Sequence, residues 1–145
     1  MVETAFMLVV VLLVLMGIIE FGFLFYAHVR VSNAAREGAR AGSLWLLHRE
    51  FTGPPDYYYD PVLCDTVRDA VQAEFAAIEA DDISITLPGG DVGCPDTALA
   101  PQAGQPITVT VSYDYILPVA SGLPIIRDVI GSPFPVLRAT VMRFQ

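Results

Sequence analysis

The side chains of this sequence that could do chemistry are few. They are the carboxylates Glu3 and Glu20, set in apolar sequence, the cysteines Cys64 and Cys94, and the histidines His28 and His48. A carboxylate among apolar residues is costly unless paired, so it suits an ion pair or a register device better than a solvated surface. Glu3 stands directly ahead of residues 4–19, which run without one charge. Glu20 closes that run, and Phe23 and Leu24 at i+3 and i+4 offer it nothing polar. Two readings of Glu20 stand. Either an arginine or backbone group of a neighbouring subunit satisfies it, or it marks the membrane–water boundary and is solvated.

The other groups suggest little catalysis. Two cysteines in an exported protein point to one disulfide, Cys64 to Cys94, as against two buried thiols in a reducing compartment. The loop so closed, on the order of thirty residues, would contribute roughly 3–4 kcal/mol in the chain-entropy model. Neither histidine has a cysteine or acid at metal-ligand spacing, and two cysteines without a nearby histidine make a poor zinc site. Asp81, Asp82, Asp91 and Asp96 could contribute to a calcium site, though an acidic loop is the plainer reading. Tyr57, Tyr58 and Tyr59 form either a contact patch or a partly packed loop. No nucleophile elbow, phosphate loop or EF-hand loop occurs. The expectation is a protein that is not an enzyme and takes neither metal nor cofactor.

These groups must be positioned by two kinds of sequence. The opening run is extended past Glu20 by Phe21, Phe23, Leu24, Phe25 and Tyr26, enough for one membrane-spanning helix. A signal peptide would have a basic front and an early small-residue cleavage site, and neither is present. Nothing ends the helix at the membrane edge, because no proline occurs before Pro54. Ala27, Val31, Ala34, Ala35, Gly38, Gly42 and Trp45 recur at helical spacing and give residues 28–50 one small, apolar face. Ala34, Gly38 and Gly42 are the helix-packing candidates. The G-x-x-x-G they include allows close backbone approach, either to another helix or to the chain's own head.

Residues 51–145 read as a small acidic head. They carry twelve acids against four arginines, so the whole net charge of -8 lies there. That balance repels nucleic acid and anionic lipid. Residues 61–79 predict a second helix, with Asp60 as N-cap, Pro61 at the first helical position and Leu63, Val67, Val71, Phe75 and Ile78 as its apolar stripe. Strands are predicted near Ile83–Leu87, over Ile107–Tyr115 with clear alternation, and over about Val136–Phe144. A Gly/Pro-rich loop separates the first two, and a helical turn near Leu123–Ile130 lies between the last two. The fold class is α+β, with an antiparallel three-stranded sheet packed on the second half of the long helix. The organisation is residues 1–27 as a transmembrane or filament-core helix, 28–50 as its amphipathic continuation, and 51–145 as the head.

Three stretches resemble the TadE-like pilins and pseudopilins of tight-adherence systems, within the type IV pilin superfamily. They are Val2-Glu3-Thr4-Ala5, Gly17-Ile18-Ile19-Glu20-Phe21-Gly22 and Asn33-Ala34-Ala35-Arg36-Glu37-Gly38-Ala39-Arg40. Ile107-Thr108-Val109-Thr110-Val111 and Ala139-Thr140-Val141-Met142-Arg143 are similar to that family's last strands. The resemblance implies a short basic leader, a prepilin peptidase, an assembly ATPase and a membrane platform. It makes Glu3 the assembly glutamate, although it stands third here and fifth in the usual mature chain. Arg30, Arg36 and Arg40 follow the apolar run and by themselves would hold the head in the cytoplasm, whereas the disulfide candidate argues for export. A basic leader resolves the conflict.

The implied function is a structural subunit of an extracellular Tad-type pilus. It would lie in the inner membrane as a precursor and then pair with copies of itself at the cell surface, Glu3 and Glu20 being the assembly candidates. A minor pseudopilin that primes or tips such a filament shares every one of these features. A single-pass membrane protein with a ligand-binding head is the third reading, and it has no use for Glu3 or for so long a helix.

Overall fold

The computed structural model describes residues 2–44, 61–88, 102–117 and 133–145. Its elements are helix α1 (Val2–Leu44), helix α2 (Pro61–Glu74), a 3-10 turn (Ala80–Asp82), and strands β1 (Ile83–Thr86), β2 (Pro106–Tyr115) and β3 (Phe134–Arg143). The strands form one antiparallel sheet in the order β1-β2-β3. The architecture is therefore the α+β class read from the sequence: a long N-terminal helix, a second helix and three strands. The expected helical turn at 123–130, the tyrosine run at 57–59, and Asp91 and Asp96 lie outside the described residues, as do Trp45 and His48.

The chain makes two compact units, one of Met1–Val29 with Asp114–Val136 and one of Arg30–Tyr113 with Leu137–Gln145. The second holds most of the core. On α1 that core is built from small groups, with Val31, Ala34, Ala35 and Ala39 buried. On α2 it is built from Leu63, Cys64, Val67 and Val71, one turn apart along a single stripe. Strand alternation then places Ile83 and Ile85 of β1, and Ile107, Val109 and Val111 of β2, on the buried face. The β1–β2 register pairs Ile83 with Val111 and Ile85 with Val109, so two buried rows lie side by side.

Helix α2 ends five residues before the expected Glu79, although no glycine or proline stops it. Tertiary contacts end it instead. The Arg30 guanidinium donates to the Glu74 carbonyl and so caps the last turn from α1. The same guanidinium lies 5.5 Å from the centre of the Phe75 ring, which stacks tilted against Tyr113 at 5.0 Å. Gln72 donates to the Ile78 carbonyl at 3.2 Å, and the Ile78 amide donates to the Phe75 carbonyl at 3.1 Å. A tight turn thus replaces the helix and still delivers Ile78 to the core.

Strand β3 begins two residues before the expected Val136 and includes Pro135. It lies at the sheet edge, the position in a sheet where proline is tolerated. The chain ahead of β2 is turned by Gly104, whose φ of 85° suits it to the third position of a turn closed by the Gln105 amide on the Gln102 carbonyl at 3.0 Å. The Gly104 amide reaches the Phe144 carbonyl at 2.8 Å, and the Phe144 amide reaches Gln105 at 2.9 Å.

Candidate functional site

The site begins with α1 as a surface. From Phe6 to Phe25 almost every large apolar side chain is more than 40% exposed, and Phe6 reaches 74%. Leaving such a row in water would cost on the order of 1.5–3 kcal/mol per side chain relative to burial. A surface of this kind therefore belongs in lipid or among other helices. Glu3–Leu44 is long and apolar enough to cross a membrane. Val, Leu, Ile and Phe without proline hold it helical, because in an apolar medium each backbone group must be satisfied within the segment.

The two carboxylates of this surface differ. Glu3 is exposed in the first turn of α1, where the helix dipole favours a negative charge. Glu20 is buried within the single chain, at 8% exposure, while Ile19 and Phe21 beside it are exposed. It has an interaction within its own chain. The two acids thus differ in the folded chain: Glu3 is exposed and Glu20 is buried.

The helix-packing candidates lie in the second compact unit, against the head. A Cβ on Gly38 would stand 2.5 Å from Val71 Cγ2 and 3.4 Å from both Val67 Cγ1 and Val109 Cγ1. One on Gly42 would stand 2.5 Å from Ile107 Cδ1 and 3.0 Å from Val67 Cγ2. Ala34 is fully buried in the same row. Here the G-x-x-x-G lets α2 and β2 of the same chain approach α1. By contrast, a Cβ on Gly17 or Gly22 would meet nothing within 4 Å.

Cys64 is buried on the first turns of α2, and Cys94 lies outside the described residues. Asp82, one of the acids considered for calcium, accepts from the Ser112 hydroxyl through its carbonyl at 3.2 Å and its carboxylate at 3.5 Å. His28 stacks with Phe25 at 6.3 Å. Arg30 is the residue that sequence reasoning passed over. Its partners stand more than forty positions away in the chain, so no local signal could have named it.

The molecule is thus of a defined class, an α+β protein with a long apolar N-terminal helix and a small head. Residues 1–40 match the family model described as TadE-like protein, the family that the N-terminal stretches resemble. Together with the apolar helix, that match points to association with a Tad pilus system, and the TadE-like family is a non-enzymatic kind of protein. No curated protein and no solved structure matches the chain.

Proposed function

We propose that this chain is a structural subunit of an extracellular Tad-type pilus, stored in the inner membrane and assembled through α1. The observation that carries this reading is the exposed apolar surface of α1 with Glu3 at its front. Within the described residues that surface is exposed, and a filament core of packed helices is an environment that would cover it. In such a core a carboxylate is tolerable only when paired, and the α-amino group of an adjacent subunit is a suitable cation. Glu3 then sets register, since a misplaced subunit strands a buried charge. Glu20, already satisfied within its own chain, would act in assembly by holding the subunit's own shape. Copies of the chain, a prepilin peptidase, an assembly ATPase and a membrane platform are the partners this function needs. The Cys64–Cys94 bridge belongs to the same proposal, as a tie between α2 and the loop ahead of β2 in an exported head.

The test is filament assembly. Glu3→Gln and Glu3→Ala are expected to enter the membrane as the wild type does and to yield fewer filaments. Normal filaments from both variants would remove Glu3 from the mechanism. Identifying the most abundant protein in filaments sheared from cells checks the subunit role, and a different main protein would move this chain to the priming or tip position.

A further inference from the structure

Outside α1, the exposed large apolar side chains among the described residues are Ile116 (63%), Phe134 (43%), Leu137 (64%) and Val141 (61%). Three of the four flank the connection between β2 and β3. The antiparallel pairing of those strands brings Ile116, just past the end of β2, and Phe134, the start of β3, to the same end of the sheet. Both belong to the compact unit that contains residues 1–29, which is the apolar half of α1. The sequence joining them is unlike the rest of the head. Between 118 and 132 the only charged residues are Arg127 and Asp128, adjacent and opposite in sign, among Val119, Leu123, Ile125, Ile126, Val129 and Ile130.

We infer that the β2–β3 end of the head, marked by Ile116 and Phe134, is a second membrane contact, seated in the interfacial layer of the bilayer that α1 spans. The inference rests on the reading of α1 as a membrane span and adds a partner surface to it. Continuity is the first argument: side chains grouped in one compact unit with a lipid-embedded helix share its apolar surroundings. Charge is the second. The head carries twelve acids against four arginines and is repelled by an anionic bilayer surface, except where its sequence is neutral. Composition is the third, because an exposed apolar patch on an otherwise polar domain marks a contact surface. Such a contact would fix how far the head stands from the bilayer before the subunit is extracted, and would have to be released during assembly.

The experiment uses full-length protein in phosphatidylcholine vesicles that contain brominated lipid. Trp45, the chain's one tryptophan, is replaced (Trp45→Phe), and single reporters are added as Leu12→Trp, Ile116→Trp, Phe134→Trp and Arg143→Trp. Leu12→Trp should lose emission most to lipid brominated deep in the acyl chain. Ile116→Trp and Phe134→Trp should lose emission to lipid brominated near the glycerol, as expected for groups roughly 5–10 Å into the headgroup boundary. Arg143→Trp should lose none. If the reporters at 116 and 134 behave like the one at 143 while the one at 12 is quenched, the second contact is absent and the span remains. If the reporter at 12 is also unquenched, the membrane reading itself fails. If 116 and 134 are shielded from aqueous acrylamide but not quenched by lipid, a second copy covers the patch and the inference is overturned. The unsubstituted chain gives an independent readout: photoactivatable phosphatidylcholine should mark peptides containing Ile116 and Phe134 and spare those containing Gln102 and Arg143.

Discussion

Replacing Gly38 by alanine adds one methyl group where α1 meets α2. The new Cβ would lie 2.5 Å from Val71 Cγ2, about an ångström or more inside an ordinary carbon–carbon contact of about 3.5–4.0 Å. Val71 is fully buried, and a β-branched side chain has only χ1 with which to retreat. Val67 and Val109, each 3.4 Å away, block the sideways escape. The helices must therefore separate. Overpacking of this kind costs about 1–3 kcal/mol, against a gain of about 1 kcal/mol when alanine replaces glycine in a helix. The net loss is then up to about 2 kcal/mol, at ~4–8 °C of melting temperature per kcal/mol for a domain of this size. Gly42→Ala should lose less, because its nearest neighbour is the terminal methyl of Ile107, which can rotate about χ2. Thermal and denaturant unfolding of the detergent-solubilised full-length chain reads the difference. Val71→Ala combined with Gly38→Ala supplies the decisive cycle. Each change alone is destabilising, and together they should lose less than their sum, because the removed Cγ2 makes room for the added methyl. If Gly38→Ala were as stable as the wild type and additive with Val71→Ala, α1 and α2 would not be packed as described.

Further outcomes are expected elsewhere. Gly17→Ala and Gly22→Ala, whose new methyls meet nothing within 4 Å, should leave the monomer's stability unchanged or raise it by up to about 1 kcal/mol, read in the same melts. Arg30→Ala should cost the head about 1.5–3 kcal/mol through the lost charged cap on Glu74, and Arg30→Lys should recover only part of it, since the planar group over Phe75 is gone. Alkylation and mass measurement of the exported protein should find no free thiol at Cys64 or Cys94, and reduction should lower head stability by roughly 3–4 kcal/mol; free thiols would rule out the bridge. Glu20→Ala should destabilise the solubilised monomer while Glu3→Ala does not, because only the first carboxylate is buried in its own chain. Equal melting of the two would refute that division.

What the sequence made legible follows from how local each signal is. The long helix was readable because its apolar run and its later small-residue face both have helical period, and no proline interrupts them. Strand β2 was readable from alternation, which its buried Ile107, Val109 and Val111 follow, while Tyr113 and Tyr115 farther along are only partly buried. The end of α2 was not readable. The stripe from Leu63 continues in period through Ile78, and the cap that stops the helix comes from Arg30, far away in the chain. The start of β3, expected at about Val136, was less legible, because a proline such as Pro135 is disfavoured inside a strand and tolerated at a sheet edge. The burial of Glu20 was not readable either, because nothing at i+3 or i+4 on its own helix signals it.

The small-residue face of α1 also bears on the order of folding. Its partners come from α2 and β2, and just past β3 the Gln145 amide closes on the Ser43 carbonyl of α1 at 3.1 Å. Contacts so distant in sequence form slowly, since long loops must close before they contribute. During synthesis α1 therefore waits with this face uncovered. Alanine and glycine present little apolar area to a wrong partner, whereas a leucine stripe in the same place would invite premature association of nascent chains. The face that lets the head pack closely at the end of folding is, for the same reason, quiet at its beginning.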